Sequence, residues 1–279
     1  MGYGSVEKED ALTIGIGIGD EIGAIASGCM RCHRVASRGS VVDFSSFGVV
    51  YNLVGAQHGY GGTADGYWGI KVEGVFPVPP DVISAQIASV LSDIGAKAVK
   101  IGMLHSSAVM DTVRKTLDRF NVTNIVLDPV MVSTSGHRLM EEDAIETLQR
   151  LLIPRARVIT PNVPEAEILS GRKITRQAQL PEVARMLSQQ GKVSVLMKAG
   201  HLGGDDSTDV FYNAEDDHYV ELPSVRVDTV NTHGTGCTLS SAIASYLAQG
   251  YGLDESAGLA KNYLEKALVS GAGYEIGRG

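Results

Sequence analysis

The stretch "HGTGC", His233 to Cys237, sets two glycines, a hydroxyl and a thiol directly ahead of an apolar helical period. Gly234 and Gly236 let backbone N–H groups approach an anion closely, and a helix starting at about Cys237 aims its positive dipole end at the same point. Such an arrangement is an anion hole for a phosphoryl group in transfer. Leu239, Ile243 and Leu247 recur at four-residue spacing to support the helix, and Gly250 stops it. A thiol in the first turn of such a helix is expected to ionise below its ordinary pKa of roughly 8.5. Cys237 is therefore a candidate base toward a substrate hydroxyl. The same residues also suit an ordinary glycine turn before a core helix carrying an inert cysteine.

Three further places could serve the same chemistry. In "TPNVPE", Asn162 stands at a strand end and Glu165 three residues on, at a helix start. Oxygen ligands so placed can face a hydrated magnesium ion, which keeps most of its waters; they can equally form a capping box. Asp128 ends the run "IVLD", as a magnesium or phosphate contact or as a turn residue. Lys198 follows "VSVLM", where its ammonium could meet nucleotide phosphates or simply be solvated.

"CMRCH", Cys29 to His33, has the form of a c-type haem attachment site. No haem-domain pattern surrounds it. The amino terminus "MGYGSVEKED" has neither a signal-peptide nor a membrane-spanning pattern, so a cytoplasmic protein is expected and haem attachment is not. A zinc site from Cys29, Cys32 and His33 would need a fourth ligand, for which His58 is the conceivable candidate. "GIGIGDEIG" has the wrong glycine spacing for a dinucleotide fingerprint.

The chain has 279 residues, 32 acidic against 24 basic, a net charge of -8 and three cysteines. No basic block marks a nucleic-acid partner, and neither nucleic acid nor membrane is expected. Length admits one large α/β domain or two smaller ones.

The elements that must position these residues alternate. "PPDVISAQIASVLSDIG" predicts a helix with Val82, Ile83, Ile87 and Val90 on its apolar face and a stop at Gly95; "AKAVKIGML" predicts a strand, and "SSAVMDTVRKTLDRF" a helix capped by Ser106 or Ser107. "NIVLDPVM" reads as a buried strand, "EEDAIETLQRLLI" as a helix, "ARVITPN" as a strand and "PEAEILSG" as a short helix ended by Gly171. "LPEVARMLSQQG" and "VSVLMKAGH" add a helix and a strand, and "DVFYNAEDDHYVEL" predicts a hairpin at the sheet edge. Two helices close the chain. This alternation predicts an α/β fold with a mostly parallel sheet covered on both faces, and ligands belong at the carboxyl ends of its strands. Residues 14 to about 68 are rich in glycine and show no sustained period.

Together "KIGML", "LDPVMVSTSGHRL", "ITPNVPEAEILSG", "VLMKAGH" and "VNTHGTGCTLSSAIASYLAQG" resemble hydroxymethylpyrimidine/phosphomethylpyrimidine kinase of the ribokinase-like superfamily. The resemblance covers about residues 70 to 276; within 14–68 the family's A-G-S-D, G-G-A-G-I-Q-A-D and T-x-Q-N-T blocks do not occur. It implies a ribokinase-like three-layer α/β/α fold, a single domain over residues 1–279 and a homodimer. It also implies two ATP-dependent phosphorylations, of 4-amino-5-hydroxymethyl-2-methylpyrimidine and then of its monophosphate. Carried over, Cys237 is the base, and Gly234, Thr235 and Gly236 form the anion hole. Asp128, Asn162 and Glu165 order Mg2+ and phosphates, Lys198 reaches the phosphates of ATP, and Met103 and Val130 line the pyrimidine pocket. The alternatives are a pyridoxal or pyridoxine kinase on the same fold, or a nucleotide-binding remnant without turnover.

Overall fold

The computed structural model describes residues 79–273, apart from 94, 105, 132–139, 141, 201, 203–205, 230, 231 and 233, together with the backbone of six strand segments between residues 11 and 77. Those six are β1 (Ala11–Ile14), β2 (Val35–Ser37), β3 (Ser40–Val42), β4 (Val50–Leu53), β5 (Ala56–Gly61) and β6 (Lys71–Pro77). Then come α1 (Pro80–Asp93), β7 (Ala98–Ile101), α2 (Ser107–Arg119), β8 (Ile125–Leu127), α3 (Glu142–Thr147), β9 (Val158–Ile159), α4 (Val163–Ser170), α5 (Leu180–Leu187), β10 (Ser194–Met197), β11 (Asp206–Asn213), β12 (His218–Val225), α6 (Thr235–Ala248) and α7 (Leu253–Gly271).

The main sheet runs β12-β11-β10-β9-β8-β7-β1-β4. The strands from β10 to β4 pair in parallel, while β11 and β12 form an antiparallel hairpin at one edge. Alternation along each strand sends successive side chains to opposite faces. Val99, Ile101, Ile125, Leu127, Ile159, Val195 and Met197 join a core cluster with residues of α1 to α5. Their neighbours Ala98, Val126, Val158, Leu196 and Phe211 pack instead with α6 and α7. The expected α/β class, the covered parallel sheet and the edge hairpin are all present.

Departures from expectation are local. Ile83 and Ile87 are buried as expected, whereas Val82, expected beside them, lies toward solvent. The helix expected through "EEDAIETLQRLLI" is α-helical only to Thr147, then widens to a π-type turn over Leu148–Leu152 and tightens to a 3-10 turn at Ile153–Arg155. Pro154 lies in this last turn, and its missing N–H and fixed φ are hostile to a continuing α-helix. Helix α6 starts at Thr235, slightly earlier than the sequence pattern indicates. Within residues 14–68 the structure places β2 to β5, and β4 lies beside β1 in the main sheet. Strands this short, set in a glycine-rich stretch, have no period of their own; their pairing partners decide them. Cys29 to His33, the haem-like and zinc-like candidate, lies outside the described residues, and the backbone of Gln57 and His58 pairs with β6.

Helix α4 shows how strictly one sequence signal is obeyed. Gly171 ends it at φ 68°, its N–H donating to Glu167 O at 2.9 Å, and a Cβ there would meet nothing within 4 Å. Gly171→Ala therefore isolates the left-handed backbone penalty, and is expected to destabilise the protein by about 1 kcal/mol. A urea titration reads this directly, and an unchanged midpoint would contradict it.

Candidate active site

On the face of the sheet that meets α6 and α7, the apolar tier Ala98, Val126, Val158, Leu196 and Phe211 gives way one step toward the strands' carboxyl ends. Two residues further along each parallel strand stand Lys100, Asp128, Thr160 and Lys198, and on antiparallel β11 the corresponding residue is Asp209. The period-two geometry of strands keeps each polar residue on the face of its apolar partner. Lys100, Asp128, Thr160 and Asp209 are all buried. A polar tier thus lies on top of a dry one, directly below the amino end of α6.

The backbone beyond the strand ends holds this tier in register. Asp128 N donates to Ile101 O at 2.8 Å, Thr160 N to Leu127 O at 3.1 Å, and Lys198 N to Pro161 O at 3.0 Å. The side chains then close on one another. Lys198 Nζ donates to Asp128 Oδ1 at 3.0 Å, and Thr160 Oγ1 donates to the same oxygen at 2.9 Å. Ser240 Oγ, on α6, lies 3.3 Å from Asp128 Oδ2 and 2.9 Å from the Gly236 carbonyl, fastening the helix start to the carboxylate.

Burial favours a neutral Asp128, but the positive charges of Lys198 and Lys100, with the hydrogen bonds from Lys198 and Thr160, outweigh it and hold the carboxyl below the usual range. Burial likewise favours a neutral Lys198. Asp128 and then Glu165 reverse that and raise the ammonium above the ordinary lysine range. The pair is ionised, and one cation is held where it can meet an anion.

Gly234 caps α6 at φ 79° without any side-chain cap. The amides of Gly236 and Cys237 fall in the first turn, where an α-helix supplies no acceptor of its own. A Cβ on Gly236 would lie 3.2 Å from Lys198 Nζ and 3.8 Å from Asp128 Oδ2, close enough that the lysine end would have to give way by a few tenths of an ångström. Cys237 is half-buried and has no disulfide partner among the described residues. Thr235 Oγ1 donates back to Thr232 O at 2.8 Å, so its hydroxyl braces the loop before the helix.

Asn162 and Glu165 form the capping box as well as flanking the site. Asn162 Oδ1 accepts from Glu165 N at 2.9 Å, and Glu165 Oε2 accepts from Asn162 N at 2.8 Å. Burial pushes the Glu165 carboxyl up to about 7, against the pull of Lys198 and of backbone N–H groups at Asn162 and Met131. Among the described residues no group of three or more His, Cys, Asp or Glu side chains could hold a metal ion by itself. Met103 is buried at the carboxyl end of β7, and Val130 is half-buried beyond β8, its N–H donating to Asp128 O at 2.9 Å. The structure therefore brings Asp128, Lys198, Gly236 and α6 into one cluster, with Asn162 and Glu165 at its side. Val130 touches the cluster through that backbone bond to Asp128, and among the described residues no side-chain hydrogen bond joins Met103 to it.

Sequence reasoning passed over Lys100, Thr160 and Ser240. For Lys100 a signal existed, since a lysine inside the apolar strand "AVKI" is anomalous for a chain segment buried on both faces. For Ser240, three residues beyond Cys237 in an alanine- and serine-rich helix, no pattern distinguishes it from its neighbours.

The sequence model of the phosphomethylpyrimidine kinase family matches residues 69–279. The chain belongs to that family. The kinase is 41% identical over 241 residues to the hydroxymethylpyrimidine/phosphomethylpyrimidine kinase of Rhizobium meliloti, covering 85% of this chain and 86% of the relative. It is also 41% identical over 197 residues to a thiamine biosynthesis bifunctional protein of Geobacter sulfurreducens, of which it spans 40%. Among solved structures, the phosphomethylpyrimidine kinase of Clostridium difficile superposes with a TM-score of 0.70 at 30% identity, covering 93% of this chain and 99% of that one. A pyridoxal kinase of Staphylococcus aureus superposes with a TM-score of 0.74 at 26% identity, covering 96% and 90%. The fold is thus ribokinase-like, and the family match begins where the sequence pattern resumes after residue 68.

Two measurements probe this geometry. Gly236→Ala should displace the flexible end of Lys198 while leaving the fold intact, weakening ATP binding roughly tenfold or more; calorimetric titration with ATP checks it, and unchanged affinity would show that the lysine does not need that space. Glu165, with its folded value raised to about 7 from 4.5, holds its proton more tightly folded than unfolded. Its contribution to stability is full below about pH 4.5 and is lost as pH rises through about 7. Glu165→Gln should therefore gain on the wild type between pH 5 and 8.5, by on the order of 2 kcal/mol. A difference in unfolding free energy that does not change with pH would contradict the assignment.

Proposed function

We propose that this kinase transfers the γ-phosphoryl group of ATP to the hydroxymethyl oxygen of 4-amino-5-hydroxymethyl-2-methylpyrimidine, and then phosphorylates the monophosphate to the diphosphate, in thiamine diphosphate biosynthesis. The observation that carries the reading is the Lys198–Asp128 pair beneath Gly236 at the amino end of α6, in a chain that matches the phosphomethylpyrimidine kinase family over residues 69–279. Phosphoryl transfer asks mainly for positioning and charge stabilisation, and a helix amino end with an adjacent ammonium provides both.

In this reading the first-turn amides of α6, with Gly234, Thr235 and Gly236, receive the transferring phosphoryl oxygens. Lys198 exchanges part of its contact with Asp128 for phosphate oxygens of ATP. Asp128 and Glu165, already committed to hydrogen bonds, suit a hydrated magnesium ion held through its waters, and Asn162 fixes Glu165. That ion would neutralise phosphate charge. Met103 and Val130 border the pyrimidine, at the carboxyl ends of adjacent strands. The Cys237 thiolate takes the proton of the hydroxymethyl group as its oxygen bonds to phosphorus. The second acceptor differs, because a phosphate monoester has a second pKa of roughly 6 and presents an anionic oxygen at neutral pH. Only the first step needs a base.

Cys237→Ser should therefore fold, bind ATP and lose about a hundredfold or more in the first step, with a much smaller loss when the monophosphate is supplied. Equal losses in both steps would remove the base role, and near-normal turnover would remove Cys237 from the reaction.

The likeness to a pyridoxal kinase supports a second reading, in which pyridoxal is the acceptor. Mass spectrometry of the protein with magnesium-ATP and either acceptor separates the two. Mono- and diphosphate from the hydroxymethylpyrimidine support the first; a single phosphorylation of pyridoxal supports the second. ATP binding without either product would identify a nucleotide-binding remnant. Family resemblance also supports a homodimer acting in the cytoplasm, and among the described residues no helix is long and apolar enough to cross a membrane. Analytical ultracentrifugation would give the assembly state.

A further inference from the structure

Lys198 is bonded to one carboxylate, Asp128, and feels a second, Glu165, through space; a third, Asp209, stands on the neighbouring strand. Asp128 accepts its ammonium at 3.0 Å. On the other side, the antiparallel register of β10 and β11 pairs Leu196 with Phe211 and Met197 with Val210. The ladder ends there, and Lys198 and Asp209 are the next residues along the two strands, on the face that carries Leu196 and Phe211. Cross-strand neighbours on one face stand about 5 Å apart at Cβ, so Asp209 is within reach of a lysine side chain. Its oxygens are already taken. Oδ1 accepts the N–H of Ala199 at 2.7 Å, and Oδ2 accepts Lys261 Nζ at 2.5 Å.

Both partners of the second pair are buried, Asp209 to 4% and Lys261 to 9% exposure. Lys261 comes from α7, whose inner face carries the small residues Ala257 and Ala260. Burying two charges is a poor way to gain stability, since well-packed apolar residues of the same volume generally do as well. The pair therefore calls for another explanation.

The contact with Ala199 supplies a second clue. Lys198 N still extends the parallel ladder to Pro161, but one residue later the chain turns, with Leu202 N donating to Ala199 O at 2.8 Å. The Asp209 carboxylate thus accepts the N–H at which β10 leaves the sheet. It holds the backbone next to Lys198 from the neighbouring strand.

We propose that Lys261 is a positioning residue for the phosphoryl-transfer site: by neutralising Asp209 it keeps that carboxylate from capturing Lys198, so the ammonium stays with Asp128 under the amino end of α6. The inference rests on the reading of Lys198 as the phosphate-binding lysine. Through this pair helix α7 thereby sets whether the lysine serves Asp128 or Asp209.

A double-variant cycle on the full-length protein tests it, with ATP affinity by calorimetry and steady-state kcat and KM as readouts. Lys261→Met should weaken ATP binding and raise KM for ATP, each roughly tenfold or more, leaving KM for the pyrimidine nearly unchanged. Asp209→Asn keeps an acceptor for the Ala199 N–H and removes the competing charge, so its effect on ATP should be slight. Combining Asp209→Asn with Lys261→Met should then restore ATP affinity to near the wild-type value. Lys261→Arg should behave as the wild type. If Lys261→Met does not fold, Lys261→Gln, whose amide still reaches Asp209 without a charge, takes its place with the same expectation. A double variant as weak in ATP binding as the single, or a single that loses thermal stability but keeps its KM for ATP, would overturn the proposal. Failure of the wild-type protein to bind ATP would instead overturn the kinase reading itself.

Discussion

The site depends on a buried ion pair that must not be satisfied too well. Lys198 and Asp128 meet at 3.0 Å in a tier where the lysine side chain retains 14% exposure and the aspartate 1%. An isolated charge at such depth would be costly; each is held by the other, and the aspartate by hydroxyls besides. Yet the lysine is useful only if one side of its ammonium remains open to an incoming anion. Opening is arranged by Gly236, which leaves the space over Nζ free of a side chain. Closing the opposite side falls to the surrounding tier, in which Thr160 and Ser240 hold Asp128 and Asp209 is engaged elsewhere.

Why the tier sits where it does follows from strand geometry. In a parallel sheet covered by helices both faces are dry, and polar side chains become tolerable only where the strands end and the helix amino termini begin. Here the change occurs within one period of two residues. Val126, Val158 and Leu196 pack against α6, and Asp128, Thr160 and Lys198 lie below its first turn. Core and site share one surface, so small changes in the seating of α6 shift both Gly236 and the hydroxyl of Ser240 against Asp128.

Asn162 and Glu165 illustrate that a structural and a functional reading of one motif need not compete. The capping box is fully formed, which fixes the strand-to-helix turn after β9. The same bonds immobilise a carboxylate beside Lys198, where burial raises it to about 7. A glutamate free to rotate could not be kept so near a second carboxylate; the cap supplies the rigidity.

The sequence by itself determined the class of fold, because amphipathic periods, capping residues and glycine stops act over a few residues: Ser106 caps α2, Gly171 and Gly250 take left-handed backbone, and the hairpin turns at Asn213 to Asp217. It also marked Asp128, Asn162, Glu165, Lys198 and the glycines of α6 as strand-end or helix-start residues. Tertiary structure decided which of these meet. Asp128 and Lys198 are 70 positions apart, Asp128 and Ser240 are 112 apart, and Asp209 and Lys261 are 52 apart. No local pattern encodes such pairings, because strand order and helix seating set them. The strands between residues 14 and 68 were hidden because runs of three to six residues are too short to show a period, and it is pairing, as of β4 with β1, that makes them strands.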